Sequence, residues 1–322
     1  PHFVPLPRGG EPPRPAPGRR IGCHTSIAGG VDQAAERAYR LGSNTFQIFS
    51  SSPRQWKASP VDAAEARLLN RLRDKYDLYP LVVHTNYLIN LAAASPLIRR
   101  KSIEALRAEI ERTLLLGAEY LVMHPGSAGP QSDRRQALVR FSTALEQASR
   151  GIEFRRLRVL IENTAGAGGA LGRDFEELRA ILGLSERVPL GCCLDTAHCY
   201  QAGWDISTAQ GLNDVLGRLH RVVGLDSLRV VHTNDSRTRL GSRADRHEHI
   251  GKGGIGLEGF RRILNHPRLR EKAFILETPI EEKGDDLRNL EVVRGLCRRT
   301  SSKFQVQSSK FNVAPPLALN LE

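Results

Sequence analysis

Six short apolar runs of this 322-residue chain end in an imidazole or a carboxylate: His84, His124, Glu162, Asp195, His232 and Glu277. These are the donors that suit zinc when cysteine is not used. Two further strings add to the set. LDTAHCY places Asp195 and His198 at i and i+3, so that just past a strand both can face one cavity. SRADRHEHIGKGGIG places Asp245 and His247 at i and i+2, on one side of an extended loop. His249 stands two residues beyond His247 and competes for the same role, and spacing leaves that choice open. His198, Asp245 and His247 suffice for one ion and the remaining donors for two more, with a carboxylate bridging. Ions clustered ~3.5–4 Å apart stabilise both the attacking and the leaving oxygen in phosphoryl hydrolysis. One histidine at a strand end is ordinarily structural, but six donors in register ask for a common cause.

Side chains this far apart in sequence meet only if the runs that carry them converge. Eight β-branched or apolar runs alternate with longer stretches of helical period: IGCH (21–24), TFQIF (45–49), LVVH (81–84), YLVMH (120–124), VLIE (159–162), GCCLD (191–195), RVVH (229–232) and FILE (274–277). Continuous apolar runs fit parallel strands buried on both faces. In the stretch 96–116, Leu97, Ile98, Ile103, Leu106, Ile110, Leu114 and Leu115 recur against a charged opposite face, and Gly117 follows where a helix C-cap belongs. Eight strands alternating with helices predict a single-domain α/β fold, the (β/α)8 TIM barrel, whose strand C-termini all open onto one face and build the active site there.

The rest of the chain narrows the function. Lys plus Arg number 47 against 35 Asp plus Glu, for a formal charge of +12, which favours a polyanionic partner. The cysteines are Cys23, Cys192, Cys193, Cys199 and Cys297, an odd number without a CxxC pair, which excludes a disulfide framework and a cysteine zinc knuckle. Cys23, Cys192 and Cys193 read as small core residues, and the compartment as intracellular and reducing: cytoplasmic in a prokaryote, nuclear or organellar in a eukaryote. No apolar run approaches the ~18 residues of a membrane span, so no membrane partner is expected, and the chain reads as a monomer. Residues 1–20, rich in Pro, Gly and Arg, read as a flexible tail or the remnant of a targeting peptide; 21–300 read as the barrel and 301–322 as a second tail. His2 falls in the first tail, His220 and His266 in helical surface, and His24 ends the first run as a pocket wall rather than a ligand. Glycine clusters at 27–34, 162–172 and 249–256 match neither a Walker loop nor a Rossmann turn, and read as flexible loops or places where backbone closely approaches a ligand.

The strings IGCHTSIAGG, SSPRQWK, HTNYLINLA, MHPGS, IENTAGAGGALG, LDTAHCYQAG, HTNDSR, GSRADRHEHIGKGGIG and LETP, in this order from Ile21 to Leu296, resemble the endonuclease IV family of apurinic/apyrimidinic endonucleases. The resemblance implies a TIM barrel with three Zn2+ ions, Mn2+ being an alternative at one or more sites. One ion would have His84, His124 and the bridging Glu162; the second Glu162, Asp195, His232 and Glu277; the third His198, Asp245 and His247, which sets His249 aside. Glu162 would also serve catalysis. The partner implied is double-stranded DNA with abasic or 3′-blocked lesions, cut 5′ to the lesion to leave a 3′-hydroxyl, with trimming of blocked 3′ ends. Arg54, Gln55 and Tyr87 occupy the positions of the loops that contact DNA, and Trp56 reads as a structural aromatic beside them. An abasic nucleotide has lost its stacking, so its extrusion costs less than that of a paired base.

Two other classes compete. A sugar isomerase or epimerase on a related barrel also gathers His, Glu and Asp at strand ends, though around one or two metals; the additional donors His198, Asp245 and His247 and the +12 charge weigh against it. A DNA-binding barrel without catalysis would have no need of the full donor set.

Overall fold

The computed structural model describes residues 12–58, 60–129 and 133–297. All eight apolar runs form strands: β1 (Arg20–Cys23), β2 (Phe46–Phe49), β3 (Leu81–His84), β4 (Tyr120–Met123), β5 (Arg158–Glu162), β6 (Leu190–Asp195), β7 (Leu228–His232) and β10 (Ala273–Leu276). They make one parallel sheet in the order β1-β10-β7-β6-β5-β4-β3-β2. The ring nearly closes through a parallel bridge between His24 and Gln47, where Thr25 N donates to Gln47 O at 2.8 Å. The remaining two strands, β8 (Asp235–Ser236) and β9 (His247–Glu248), form a separate antiparallel ladder.

The helices between the strands are α1 (Val31–Arg40), α2 (Ala63–Tyr76), α3 (Pro96–Leu115), α4 (Arg134–Ser149), α5 (Phe175–Leu182), α6 (Thr196–Gln201), α7 (Ala209–Val222), α8 (Gly256–Asn265) and α9 (Asp285–Leu296). The chain is thus a TIM barrel. Among the described residues no helix is long and apolar enough to cross a membrane.

Pleating explains how the barrel presents its polar ends. Successive side chains of a strand alternate between faces. Val82, Val122, Leu160, Cys193, Val230 and Ile275 form one apolar cluster that is fully buried and separate from the larger core. Each lies two residues before a predicted ligand: His84, His124, Glu162, Asp195, His232 and Glu277. The ligands therefore share one face of their strands with that cluster, which forms a dry floor beneath them. The intervening residues Val83, Leu121, Met123, Ile161, Leu194, Val231, Phe274 and Leu276 belong to the larger core.

Two sequence expectations need adjusting. Helix α3 begins at its Ser95 cap, with Pro96 in the first turn, and Gly117 (φ +68°) follows its end. Its buried face, however, is Ser102, Ala105, Leu106, Glu109, Ile110 and Thr113, while Leu97, Ile98 and Leu115 are exposed. Leu97 and Leu115 each lie nine residues from Leu106, about two and a half turns, and so on the opposite side. The polar members of the buried face are bonded: Glu109 to Ser50 Oγ, Ser102 to Ile98 O and Thr113 to Glu109 O. Second, residues 12–19 run along the barrel, where composition suggested a loose segment up to residue 20, and Arg20 already belongs to β1. Pro12 and Pro15 are buried, Arg294 donates to Pro13 O at 3.0 Å, and Arg19 bonds Leu264 O and Asn265 Oδ1. Proline carbonyls remain good acceptors, which lets such a segment dock. Residues 1–11 and 298–322, the rest of the two expected tails, lie outside the described residues.

Candidate metal centre

His84, Glu162, Asp195 and His232 are the last residues of β3, β5, β6 and β7, and His124 and Glu277 stand one residue beyond β4 and β10. Asp195 also caps α6, its Oδ1 accepting from His198 N at 2.7 Å, so the i, i+3 spacing is that of a cap and the first helical turn behind it. The β8–β9 ladder pairs His247 with Ser236 and carries the loop that holds Asp245.

The donors gather into three sets whose ligand atoms lie within 4.8 Å of one another: His84, His124 and Glu162; Glu162, Asp195, His232 and Glu277; and Asp195, His198 and His247. Glu162 lies at the centre. Its Oε2 is 3.2 Å from His84 Nε2 and 3.3 Å from His124 Nε2, and its Oε1 is 3.1 Å from His232 Nδ1 and 3.3 Å from His198 Nδ1. Asp245 stands 3.2 Å from His198 Nε2 and 3.6 Å from His247 Nε2, so it reaches the third set, which Asp195 also enters. His249 turns away, its Nδ1 meeting Asn289 Nδ2 at 3.0 Å, whereas His247 faces Asp195 and His198.

These donors fit metal ions. Nitrogens and oxygens bound tetrahedrally at about 2.0–2.1 Å stand about 3.3 Å apart, and the His–carboxylate contacts among these donors run from 3.1 to 3.7 Å. The buried Nε2 atoms of His198 and His247 make no well-aligned hydrogen bond, although Asp245 stands close to both. A buried imidazole nitrogen left so is costly unless a cation or proton meets it. The opposite nitrogens are engaged: Nδ1 of His84, His198 and His247 meet the carbonyls of Thr85 (2.8 Å), Asn163 (3.0 Å) and Glu277 (3.1 Å). That arrangement leaves Nε2 as the ligand atom of each.

The electrostatics agree. Burial opposes ionisation of Glu162, but His232, His124 and His198 together outweigh it and hold the carboxyl well below its ordinary range. Burial also opposes charge on His198 and His232, yet their neighbours, Asp195 first for His198, and the Cys193 thiol followed by the carboxylates of Glu277 and Glu162 for His232, hold both well above the usual imidazole value. A basin this anionic attracts positive charge.

The other predicted positions lie at the rim. Arg54 and Gln55 are exposed, and Tyr87 is 62% exposed with its ring 5.2 Å from Phe49 and 6.1 Å from His84. Tyr87 N donates to Pro53 O at 3.0 Å, which ties the two loops together. Trp56 packs on the core with Lys101 Nζ 5.8 Å from its ring, as a structural residue would.

Comparison with known proteins gives the arrangement a family. Residues 35–296 match the family model described as a xylose isomerase-like TIM barrel. A relative named as a probable endonuclease 4, from Solibacter usitatus (strain Ellin6076), is 50% identical over 281 residues, which cover 86% of this chain and 97% of that one. The chain belongs to the endonuclease IV family. The crystal structure of endonuclease IV from Thermus thermophilus superposes with a TM-score of 0.77 at 41% identity, covering 86% of this chain and 98% of the other. A D-tagatose 3-epimerase-like protein is also similar, with a TM-score of 0.64 at 20% identity over 86% of this chain and 96% of its own, and that likeness shows the fold alone.

Within this endonuclease IV fold, four residues that sequence reasoning passed over complete the site. Asn163 and Asn234 hold ligands by both ends of their amides. Gln47, fully buried, contacts Glu277, His232 and His24, so His24 lines the site as expected. A polar residue in the middle of the apolar run TFQIF was the available signal. Asp235 explains the glycines of HIGKGGIG. Its carboxylate accepts from the backbone N–H groups of Gly251, Gly253, Ile255 and Gly256 at 2.9–3.2 Å. A Cβ on Gly253 would fall 2.6 Å from that carboxylate and 2.3 Å from Ser236 O. The ligand that this backbone approaches closely is thus the protein's own side chain.

Proposed function

We propose that this chain is a metal-dependent DNA repair endonuclease that hydrolyses the phosphodiester 5′ to abasic sites, leaves a 3′-hydroxyl, and also trims blocked 3′ ends. The observation that carries the reading is the sharing of Glu162 and Asp195 among three donor sets at the mouth of an endonuclease IV barrel. We assign three Zn2+ ions to the nine residues His84, His124, Glu162, Asp195, His198, His232, Asp245, His247 and Glu277, with Mn2+ an acceptable occupant. Ions held there supply Lewis acidity toward the scissile phosphate and lower the pKa of water at neutral pH.

The chain's own residues do the rest. Glu162, ionised and central, keeps the histidine donors around it in fixed relation. The dry floor of Val82, Val122, Leu160, Val230 and Ile275 withholds water from beneath the donors and strengthens their electrostatics. Arg54 and Gln55 on one loop and Tyr87 on the next extend toward the duplex, where an exposed aromatic and a cation serve to fill the gap left by an extruded abasic nucleotide and to hold the backbone. The net charge of +12 supports binding of a polyanion.

The test is incision of a duplex containing one abasic analogue that cannot undergo β-elimination, with and without prior chelation. A single cut 5′ to the analogue, lost on chelation and restored by Zn2+, is the expected result. No incision by protein shown to carry its metals would overturn the proposal.

A further inference from the structure

Gln47 is fully buried on β2, at the seam where β1 and β2 nearly close the barrel. Its carboxamide has three partners. Nε2 donates to Glu277 Oε1 at 2.5 Å and stands 3.1 Å from His24 Nδ1, while Oε1 is 2.8 Å from His232 Nε2. Both amide hydrogens and the carbonyl oxygen are thereby used.

The chemistry of these partners allows only one orientation. An ionised carboxylate accepts and cannot donate. The amide nitrogen must therefore face Glu277, which turns the amide oxygen toward His232. An oxygen acceptor requires a proton on His232 Nε2, so the nitrogen that a metal ion would take in place of a proton is Nδ1. That Nδ1 lies 3.1 Å from Glu162 Oε1 and 3.2 Å from Glu277 Oε2.

His232 differs in this from its neighbours. His84, His198 and His247 have Nδ1 fixed by main-chain carbonyls, acceptors that no substitution of the bonded residue removes. On His232 the acceptor facing Nε2 is instead a side chain, the amide oxygen of Gln47. The same side chain also fixes one oxygen of Glu277, leaving Oε2 toward the set formed by Glu162, Asp195, His232 and Glu277.

We propose that Gln47 is a positioning residue of the centre: it locks His232 as an Nδ1 donor and aims Glu277, and so selectively sets the metal affinity of the Glu162, Asp195, His232 and Glu277 site. The inference rests on the metal-centre reading above. Partners of this kind typically change metal affinity 10–100-fold when removed.

The experiment is metal analysis of zinc-loaded protein dialysed against graded concentrations of a competing chelator. Gln47→Met keeps the length of the side chain and removes the amide. The variant should release one ion per chain at roughly 10–100-fold lower chelator activity than the parent, with the other ions retained. Identical release curves for variant and parent, both loaded, overturn the role of Gln47 and leave the metal centre standing. A parent chain that holds no zinc overturns the metal-centre reading and this role with it. Should Gln47→Met not fold, the unmodified protein answers the same question. After 113Cd substitution, nitrogen NMR should show metal coupling at His232 Nδ1 and a slowly exchanging proton at Nε2; coupling at Nε2 instead overturns the proposal.

Discussion

Asn163 brackets the main chain of Asp195 from both sides: its Oδ1 accepts from Asp195 N at 2.6 Å and its Nδ2 donates to Asp195 O at 3.2 Å. Asn163 follows Glu162 directly, and its own carbonyl meets His198 Nδ1 at 3.0 Å. One residue thus registers the end of β5, the end of β6 and the first turn of α6. Asn163→Ala would leave the buried Asp195 N–H without an acceptor, a cost of about 1–3 kcal/mol. We expect a lower Tm in chemical or thermal unfolding together with weaker zinc retention. Wild-type values for both would show that the two strand ends keep register without it.

The centrality of Glu162 leads to a second expectation. Gln at this position keeps the shape but removes the charge that faces His84, His124, His198 and His232. Glu162→Gln should lower incision by about a hundred- to a thousandfold, the scale of a lost electrostatic stabiliser, while the far-UV spectrum and binding of the abasic duplex persist. Measuring kcat alongside the binding isotherm separates these effects, and activity near that of the parent would remove Glu162 from the mechanism.

Six of the eight strands and their donors were legible because each of those runs carries two signals at once, apolar side chains for burial and one donor at its end. Val82 followed by His84, or Leu160 by Glu162, is a pattern that pleating turns directly into floor and ligand. The inward face of α3 was less legible, since Ser102, Ala105, Glu109 and Thr113 gain their burial from bonds or small size rather than from hydropathy. Gln47, Asn163 and Asn234 were not legible as site residues, because an amide shows its role only through partners that are distant in sequence. The contest between His247 and His249 is of the same kind, since the β8–β9 register and Asn289 on α9, both distant in sequence, decide which imidazole faces the other donors.

Asp235 supports a prediction about mobility. Its buried carboxylate organises five backbone N–H groups, counting Ser236 N, with those of residues 251, 253, 255 and 256. Asp235→Ala would strand these donors and release the loop that follows His247. Hydrogen exchange at Gly251, Gly253 and Ile255 should accelerate by two orders of magnitude or more, corresponding to about 3 kcal/mol of lost protection. Unchanged exchange there would mean that the loop is held by its packing rather than by the carboxylate.

At the rim, Tyr87 and Arg54 should have different signatures. Tyr87→Ala removes an exposed ring that stacking would engage, and should weaken binding of the abasic duplex by about 1–3 kcal/mol, more than it weakens binding of an intact duplex. If Arg54 meets a phosphate as proposed, Arg54→Ala should reduce the slope of log K against log salt by about one. Equal losses for abasic and intact duplex in the Tyr87 variant would argue against a lesion-specific role.

Asp286, in the first turn of α9, yields a pH prediction away from the metal centre. Burial, with Asp285 beside it, pushes its carboxyl up from 3.8 to about 6. The folded state therefore binds this proton more tightly than the unfolded chain does. Stability is unaffected by the group at pH values below 3.8, falls as pH rises through the interval between 3.8 and about 6, and stays reduced above it. Asp286→Asn removes that penalty, so the variant should be more stable than the parent at pH 7 by on the order of 2 kcal/mol and indistinguishable from it near pH 3.5. Because parent and variant share the same metal ligands, titration of the centre cancels in the difference. Paired thermal melts at the two pH values test this: a gain confined to pH 7 supports the assignment, whereas an equal shift at both pH values would trace the change to packing rather than to charge.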